Sequence, residues 1–205
     1  SGKGFPIRIM TYNIHQGFDL RGHYGLEEIL QVIENEDPDI IALQEVSRGW
    51  LINGSVDTLV WLSQRLNLPY VFGPAADSVW GNAVLSRYPI RTVTNQPMPN
   101  NGAIVMDRGF MMMEIEVGAG ELLTILASHF HSDNGGTDTG YRMPQSLAVL
   151  NAINHNDPTV LLGDLNASPH QPEMLLISEA GFIDTFVMAG PFGDGFTWPS
   201  DVPEE

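Results

Sequence analysis

The sequence contains no cysteine. Disulfides, thiolate metal ligands and a cysteine nucleophile are therefore excluded, and any metal ion must be held by oxygen or imidazole. Lysine is almost as scarce, since it occurs only at Lys3, and 9 basic residues stand against 25 acidic ones for a formal net charge of −16. Such a charge repels polyanions unless metal ions or a local arginine cluster reverse the field. The composition argues against a high-affinity, non-specific nucleic-acid binder.

Long hydrophobic runs are also missing. No stretch is long and apolar enough to cross a bilayer, and no N-terminal signal-peptide pattern is present. The chain has 205 residues, a hydrophobic fraction of 43%, and no repeat or linker that would divide it. These values are typical of one compact globular domain. The sequence therefore predicts a single domain over residues 1–205 and leaves the cellular compartment open.

The hydropathy pattern predicts which segments are strands and which are helices. Apolar runs at 7–13 and 40–45 predict buried strands, and apolar residues at helical spacing predict helices over 26–36 and 57–66. Beyond Pro69 short strands follow one another, which favours antiparallel pairing. The predicted segments after Pro69 are strands at 70–73, 82–86, 90–95, 110–117 and 122–129, a helix over 144–154, a strand at 160–163 and a helix over 172–180. One α+β domain with two sheets covered by helices buries this many apolar strands most simply.

Polar side chains stand at the carboxyl ends of the most apolar predicted strands. They are Asn13, Glu45, His129, Asp164 and Asn166. Strand ends on the same side of a layered sheet protein converge on one rim, where ligands bind. Each residue alone also has a purely structural explanation, as a turn former, a solvated strand end, a core histidine or a cap. The recurrence at successive strand ends is what favours a shared site.

Five ordered segments carry these residues in a recognisable arrangement. They are TYNI at 11–14, LQEV at 43–46, GNAVLSRYPI at 81–90, SHF at 128–130 and GDLNASP at 163–169. In order and approximate spacing the chain resembles the endonuclease/exonuclease/phosphatase superfamily along nearly its whole length. The resemblance implies a four-layered α/β/β/α sandwich with the active site at one edge of the two central sheets. It also implies metal-dependent hydrolysis of a phosphodiester or phosphomonoester.

The resemblance assigns an expected role to each residue of that site. Glu45 is expected to hold the metal, and Asn13 to help position the metal or its water. Hard oxygen ligands suit Mg2+, with Mn2+ as the alternative. Asp164 is expected to orient or deprotonate the attacking water, and Asn166 to hydrogen-bond the phosphate. His129 is expected to contact the phosphate and to stabilise negative charge when protonated.

Three further residues are candidates for the pocket. Asn82 lies in a motif that lines the pocket of many relatives, although Gly-Asn is also an ordinary turn dipeptide. Arg142 and Gln145 have the Arg-x-x-Gln spacing seen in relatives, but a helix surface and cap explains them equally well. We retain Asn82 and Arg142 as candidate substrate-binding residues. The loop at 15–24 is a candidate specificity loop.

The resemblance breaks after the GDLN segment. Relatives continue with an Arg-x-Asp-Tyr-type strand and a terminal Ser-Asp-His, and neither occurs in this sequence. The expected fold therefore lacks its C-terminal strands, and the chain is expected to be truncated and to hydrolyse phosphodiesters feebly or not at all. A second reading of the same fold is a non-catalytic module that binds a phosphorylated ligand or a partner protein. The charge and the scarcity of lysine favour a small or lipid-head-group phosphodiester over nucleic acid as substrate, with a nuclease as the alternative.

Overall fold

A computed structural model describes residues 6–100, 106–132, 140–154, 156–190 and 197. Two four-stranded sheets form its centre. The first contains β1 (Ile9–Asn13), β2 (Ile40–Ser47), β3 (Tyr70–Asp77) and β4 (Trp80–Ser86) in the order β1-β2-β4-β3. β1 and β2 are parallel, whereas β4 is antiparallel to both of its neighbours.

The second sheet contains β5 (Ile90–Pro97), β6 (Gly109–Gly118), β7 (Glu121–His129) and β8 (Thr159–Asp164) in sequence order. β5, β6 and β7 form antiparallel neighbours, and β8 returns parallel to β7. Since β7 and β8 are parallel, their carboxyl ends lie side by side. The register places His129 directly opposite Asp164.

Helices cover the outer face of each sheet. They are α1 (Leu26–Glu36), α2 (Thr58–Leu66), α3 (Arg142–Ala152), α4 (Pro172–Glu179) and the short α5 (Thr185–Ala189). α1 is the predicted helix to the residue, and α3 begins two residues before its predicted start. α5 was not predicted. None of the helices in the described part of the chain combines the length and the hydropathy needed to span a membrane.

The alternation of side chains along β2 divides the core into layers. Ile41 and Leu43 pack under α1 and α2, while Ile40 and Ala42 face the second sheet. Successive side chains of a strand point to opposite faces, so one apolar strand serves both layers. A third cluster, with Phe110 at its sheet face, lies beneath α3 and α4. The predicted α+β four-layered α/β/β/α sandwich is thereby confirmed, and the single domain over 1–205 stays a prediction.

One ion pair fixes the start of α2. Asp57 is its N-cap and accepts a hydrogen bond from the Val60 N–H at 3.1 Å. The Arg48 guanidinium also donates to this carboxylate, with Nη2 2.8 Å from Oδ2. Burial alone would raise the pKa of Asp57, but Arg48 and the cap hydrogen bond outweigh it and hold the pKa below its usual value.

We predict that Asp57→Ala lowers the free energy of unfolding at pH 7 by about 1–2 kcal/mol, because the cap is lost together with the ion pair. A carboxyl whose pKa is depressed by folding stabilises the fold above its unfolded pKa of about 3.9 and ceases to do so as the pH falls through the lower folded pKa. Urea unfolding at pH 7 and in acid measures both effects. Glu121→Ala, at the exposed start of β7, is the matched control. A loss of stability of the same size at both pH values would contradict the assignment.

Candidate active site

A β-bulge in β2 sets the position of Glu45. The pairing of β2 with β4 shifts between Leu43 and Val46, so that Gln44 and Glu45 together lie opposite one residue of β4, Asn82. Glu45 has a φ of 54°, a left-handed conformation that is uncommon outside glycine. Bulges re-aim side chains, and backbone strain of this kind concentrates at functional sites. The bulge turns the Glu45 carboxylate into the rim between the two sheets.

Asn13 joins the two sheets at this rim. Its Nδ2 donates to Glu45 Oε1 at 3.3 Å and to Asp164 Oδ2 at 2.9 Å. Its Oδ1 accepts the His15 N–H at 3.0 Å, which fixes the orientation of the amide. Two carboxylates, one from each sheet, therefore converge on a single amide nitrogen.

His129 closes the same pocket and is only 2% exposed. Its Nε2 lies 3.9 Å from Glu45 Oε1 and 3.8 Å from Asp164 Oδ2. The structure thus brings Asn13, Glu45, His129 and Asp164 together at this rim, with Glu45 at a bulge inside β2 and not at its end. Their catalytic roles stay predictions.

Arg108 is a pocket residue that the sequence analysis missed. Its side chain is buried above the Trp80 ring, with Cζ 5.2 Å from the ring centroid, and its Nη1 lies 3.4 Å from His129 Nδ1. β6 starts where the antiparallel β7 ends, so a residue just before a strand reaches the rim as readily as one at a strand end. Nothing in the local sequence distinguishes Arg108 from an ordinary loop arginine.

The contact with Arg108 determines which nitrogen of His129 carries the proton. A guanidinium has only donors, so Nδ1 must be the acceptor and the neutral imidazole is protonated at Nε2, facing the carboxylates. Burial, reinforced by the Arg108 charge, lowers the pKa of His129 well below its usual value. The expectation of a protonated His129 does not fit this environment, which favours a neutral ring that donates from Nε2.

Gln16 is the second residue that the sequence analysis missed. Its Nε2 donates to Glu45 Oε2 at 3.0 Å, so each oxygen of Glu45 accepts a side-chain amide. Gln16 lies in a 3-10 turn, His15–Gly17, in which both His15 and Gln16 have positive φ. The loop at 15–24 therefore orients Glu45. Its role in substrate specificity stays a prediction.

Asn166 and Gly163 shape the end of β8. Asn166 donates its backbone N–H to Asp164 Oδ1 at 3.1 Å and its Nδ2 to the Phe130 carbonyl at 3.0 Å. Gly163 has a φ of 142°, and a Cβ there would lie 1.9 Å from the Ser128 carbonyl oxygen. Glycine is thus required for β8 to approach β7 at the rim. The contact of Asn166 with a phosphate stays a prediction.

The two candidate substrate-binding residues have partners inside the protein. Asn82 is 3% exposed and donates to the Gly109 carbonyl at 3.0 Å. Arg142 is 1% exposed, and its Nε donates to Glu173, which is fully buried. This buried ion pair joins α3 to α4. Contact of either residue with substrate stays a prediction.

The donor set at the rim fits a hard divalent cation. Glu45 and Asp164 each present a carboxylate oxygen to the Asn13 amide, and Mg2+ typically takes one or two protein carboxylates and keeps several waters. The described residues contain no group of three or more His, Asp or Glu side chains arranged to hold a metal. Asn13 presents its Nδ2 rather than its oxygen to these carboxylates, which makes it a positioning residue in this structure. Its part in holding the metal stays a prediction.

Solved structures of other proteins share this fold. The chain superposes on a structure of an endonuclease/exonuclease/phosphatase from Beutenbergia cavernae with a TM-score of 0.72 and 23% identity, covering 88% of this chain and 55% of that one. It superposes on the human Nocturnin catalytic domain with a TM-score of 0.65 and 22% identity, covering 83% of this chain and 68% of that one. These likenesses show the fold.

The sequence identifies the family. A family model described as the Endonuclease/Exonuclease/phosphatase family matches residues 10–204, and the chain belongs to that family. YbhP of Escherichia coli K12 is 26% identical over 201 residues, which cover 90% of this chain and 76% of that protein. The family is named for enzymes that hydrolyse phosphate esters, and the resemblance found in the sequence is confirmed.

We predict that His129 stays neutral through the pH range in which ordinary histidines titrate. Because burial and Arg108 lower its pKa, protonation is expected only at pH values well below 6.5. Nitrogen-15 correlation spectra across pH 5–8 should show Nδ1 unprotonated and Nε2 protonated. In Arg108→Gln the pKa should rise. A parent ring that titrates with the same midpoint as an exposed histidine would contradict this account.

We predict that Glu173→Gln lowers the free energy of unfolding by about 3–5 kcal/mol, because it replaces the fully buried carboxylate that pairs with the Arg142 guanidinium by a neutral amide. Thermal and urea unfolding measure the loss. Glu179→Gln, at the exposed end of the same helix, is the matched control and should change stability by under about 0.5 kcal/mol. A variant as stable as its control would show that the ion pair does not hold α4 in place.

Proposed function

We propose that the chain is a divalent-metal-dependent phosphodiesterase whose reaction takes place in the pocket between the two sheets. The observation that carries this proposal is the convergence of Glu45 and Asp164 on the Asn13 amide, with His129 Nε2 within 4 Å of both carboxylates. Two carboxylates held this close gain from a cation between them, because the cation removes their mutual repulsion. Membership of the family supplies the class of chemistry.

Each residue contributes a distinct function. Glu45 would hold the metal, Mg2+ or Mn2+, and its carboxylate is oriented by Asn13 and Gln16. A metal held there would supply stabilisation of negative charge on the phosphoryl oxygens. Both oxygens of Asp164 accept hydrogen bonds, which fix the carboxylate in a position from which it orients or deprotonates a water.

His129 and Asn166 serve the phosphate. The neutral His129 ring donates from Nε2 to a phosphate oxygen, and Arg108 keeps the proton on that nitrogen. Asn166 stands two residues beyond Asp164 and is proposed to hydrogen-bond the same phosphate. Donors aimed in advance at developing negative charge are the main source of electrostatic catalysis in such pockets.

The substrate we favour is a small or lipid-head-group phosphodiester. The structure describes all eight arginines of the chain. Six of them form ion pairs with carboxylates. These six are Arg8, Arg48, Arg65, Arg87, Arg91 and Arg142. Because the net charge is −16 and Lys3 is the sole lysine, little basic surface is available for a polynucleotide backbone. A single phosphate requires no such surface.

We predict that Glu45→Gln and Asp164→Asn fail in different ways. Glu45→Gln should weaken Mg2+ and Mn2+ binding by at least about tenfold, so that part of the activity returns at high metal concentration. Asp164→Asn should retain most metal affinity and lower turnover by about two to four powers of ten. Calorimetric metal titrations and hydrolysis of bis(p-nitrophenyl) phosphate measure the two effects. Asp157→Asn, in the turn before β8, is the matched control.

The outcomes separate the competing functions. Rates are measured on the longest natural polypeptide that contains residues 1–205, with and without chelator. Full activity in chelator, or an Asp164→Asn variant as active as its parent, would refute the assigned roles. Metal and phosphate binding without turnover would favour a binding module. Faster cleavage of DNA or RNA than of glycerophosphocholine would favour a nuclease, and faster hydrolysis of p-nitrophenyl phosphate a phosphomonoesterase.

A further inference from the structure

The loop that follows β2 exposes two adjacent aliphatic side chains. Residues 49–56, GWLINGSV, contain no charged side chain, in a chain whose residues are 17% charged. Leu51 is 88% exposed and its neighbour Ile52 is 63% exposed. Within the described residues no other large hydrophobic side chain is as exposed as Leu51. We call Leu51 and Ile52 the apolar tip.

The apolar tip belongs to a fixed turn. Asn53, which is 4% exposed, lies beneath it and donates from Nδ2 to Ser47 Oγ at 2.5 Å. The Ser55 N–H donates to the Trp50 carbonyl at 2.9 Å and closes the turn. Ser55 has a φ of 60°, a conformation that costs free energy for a residue other than glycine. The fold therefore holds the two aliphatic side chains in solvent at an energetic cost.

A row of aromatic rings connects the apolar tip with the active site. The Trp50 ring stacks on Trp80 with centroids 6.4 Å apart and an interplanar angle of 16°. Trp80 in turn lies 6.2 Å from His129. Trp50 is further fixed by donation from its Nε1 to Asp77 Oδ2 at 3.1 Å. The tip is thus connected to His129 through two tryptophan rings, Trp50 and Trp80.

We infer that the apolar tip inserts into a neutral or zwitterionic lipid surface and presents a lipid phosphodiester to the pocket. This inference rests on the proposed function and specifies its substrate as a lipid in an aggregated phase. A protruding aliphatic pair flanked by a tryptophan suits the boundary between head groups and acyl chains, where the aromatic ring lies near the head groups.

The size of the tip argues against a protein partner. Two side chains and their turn bury a few hundred Å2 at most, whereas stable protein interfaces bury about 1,200 Å2 or more. Insertion into lipid has no such threshold, because it scales with the apolar area transferred from water. The net charge of −16 indicates the charge of the lipid surface. It repels an anionic bilayer and leaves a neutral or zwitterionic bilayer accessible.

Vesicle sedimentation tests the inference without any need for turnover. The parent is mixed with phosphatidylcholine vesicles in chelator, alongside the double variant Leu51→Ser/Ile52→Ser. Each buried methylene contributes a factor of about four to partitioning, so the double variant should lose at least about tenfold in partition coefficient. Leu122→Ser is the matched control, because Leu122 is also an exposed aliphatic and lies at the opposite end of β7 from His129. Replacing roughly one third of the lipid by phosphatidylglycerol should weaken binding of the parent.

Hydrolysis supplies the second measurement. With metal present, the double variant should hydrolyse bis(p-nitrophenyl) phosphate at the parental rate and should lose at least about tenfold on phosphatidylcholine in vesicles. A parent that does not sediment with vesicles, or a double variant that sediments as well as the parent, would overturn the inference. Capture of a protein by the parent but not by the double variant, with no vesicle binding, would overturn it in favour of a protein partner. Vesicle binding that depends on the tip, without hydrolysis of any phosphodiester, would instead refute the proposed function and leave the lipid contact standing.

Discussion

The pocket depends on one side chain, the Asn13 amide, which donates to a carboxylate from each sheet. Two carboxylates at the same rim repel each other, and that repulsion would push the sheet edges apart if nothing lay between them. The amide supplies a donor to both carboxylates, and under the proposed function a bound cation would replace or supplement that donor. Its orientation is itself fixed by the His15 N–H. The site therefore lies between the two sheets, and each sheet supplies one of its two carboxylates.

Much of this arrangement follows from the order of residues along the chain. The helix at 26–36 and the polar residues at the ends of β1, β7 and β8 were predicted because periodicity and strand ends are local properties. The bulge at Glu45 was not predicted, since nothing in LQEV signals a left-handed residue within an apolar strand. A bulge is set by how two strands pair, and pairing is not visible in one segment.

Contacts between distant segments are also not visible in the sequence, as three residues show: Arg108, Gln16 and Arg142. Arg108 and Gln16 reach the pocket only because distant segments meet there, at the start of β6 and in a strained turn after β1. Arg142 had the spacing of a substrate-binding residue, yet its guanidinium lies against Glu173 under α4. Spacing predicts which helical turn a residue occupies. It does not predict which side chains from another element are packed against that turn.

The core layer between the two sheets affects how the distance between Glu45 and Asp164 would respond to a displacement of one sheet relative to the other. Between the sheets, Val84 and Ala42 from one side meet Met111 and Met113 from the other. Methionine is unbranched and polarizable, so this layer would lose little packing if one sheet were displaced relative to the other. The separation of Glu45 and Asp164 follows any such sliding directly, because each is anchored in a different sheet. If the site binds a cation as proposed, its affinity would report how the two sheets are aligned, even where the hydrogen bonding within each sheet is unchanged.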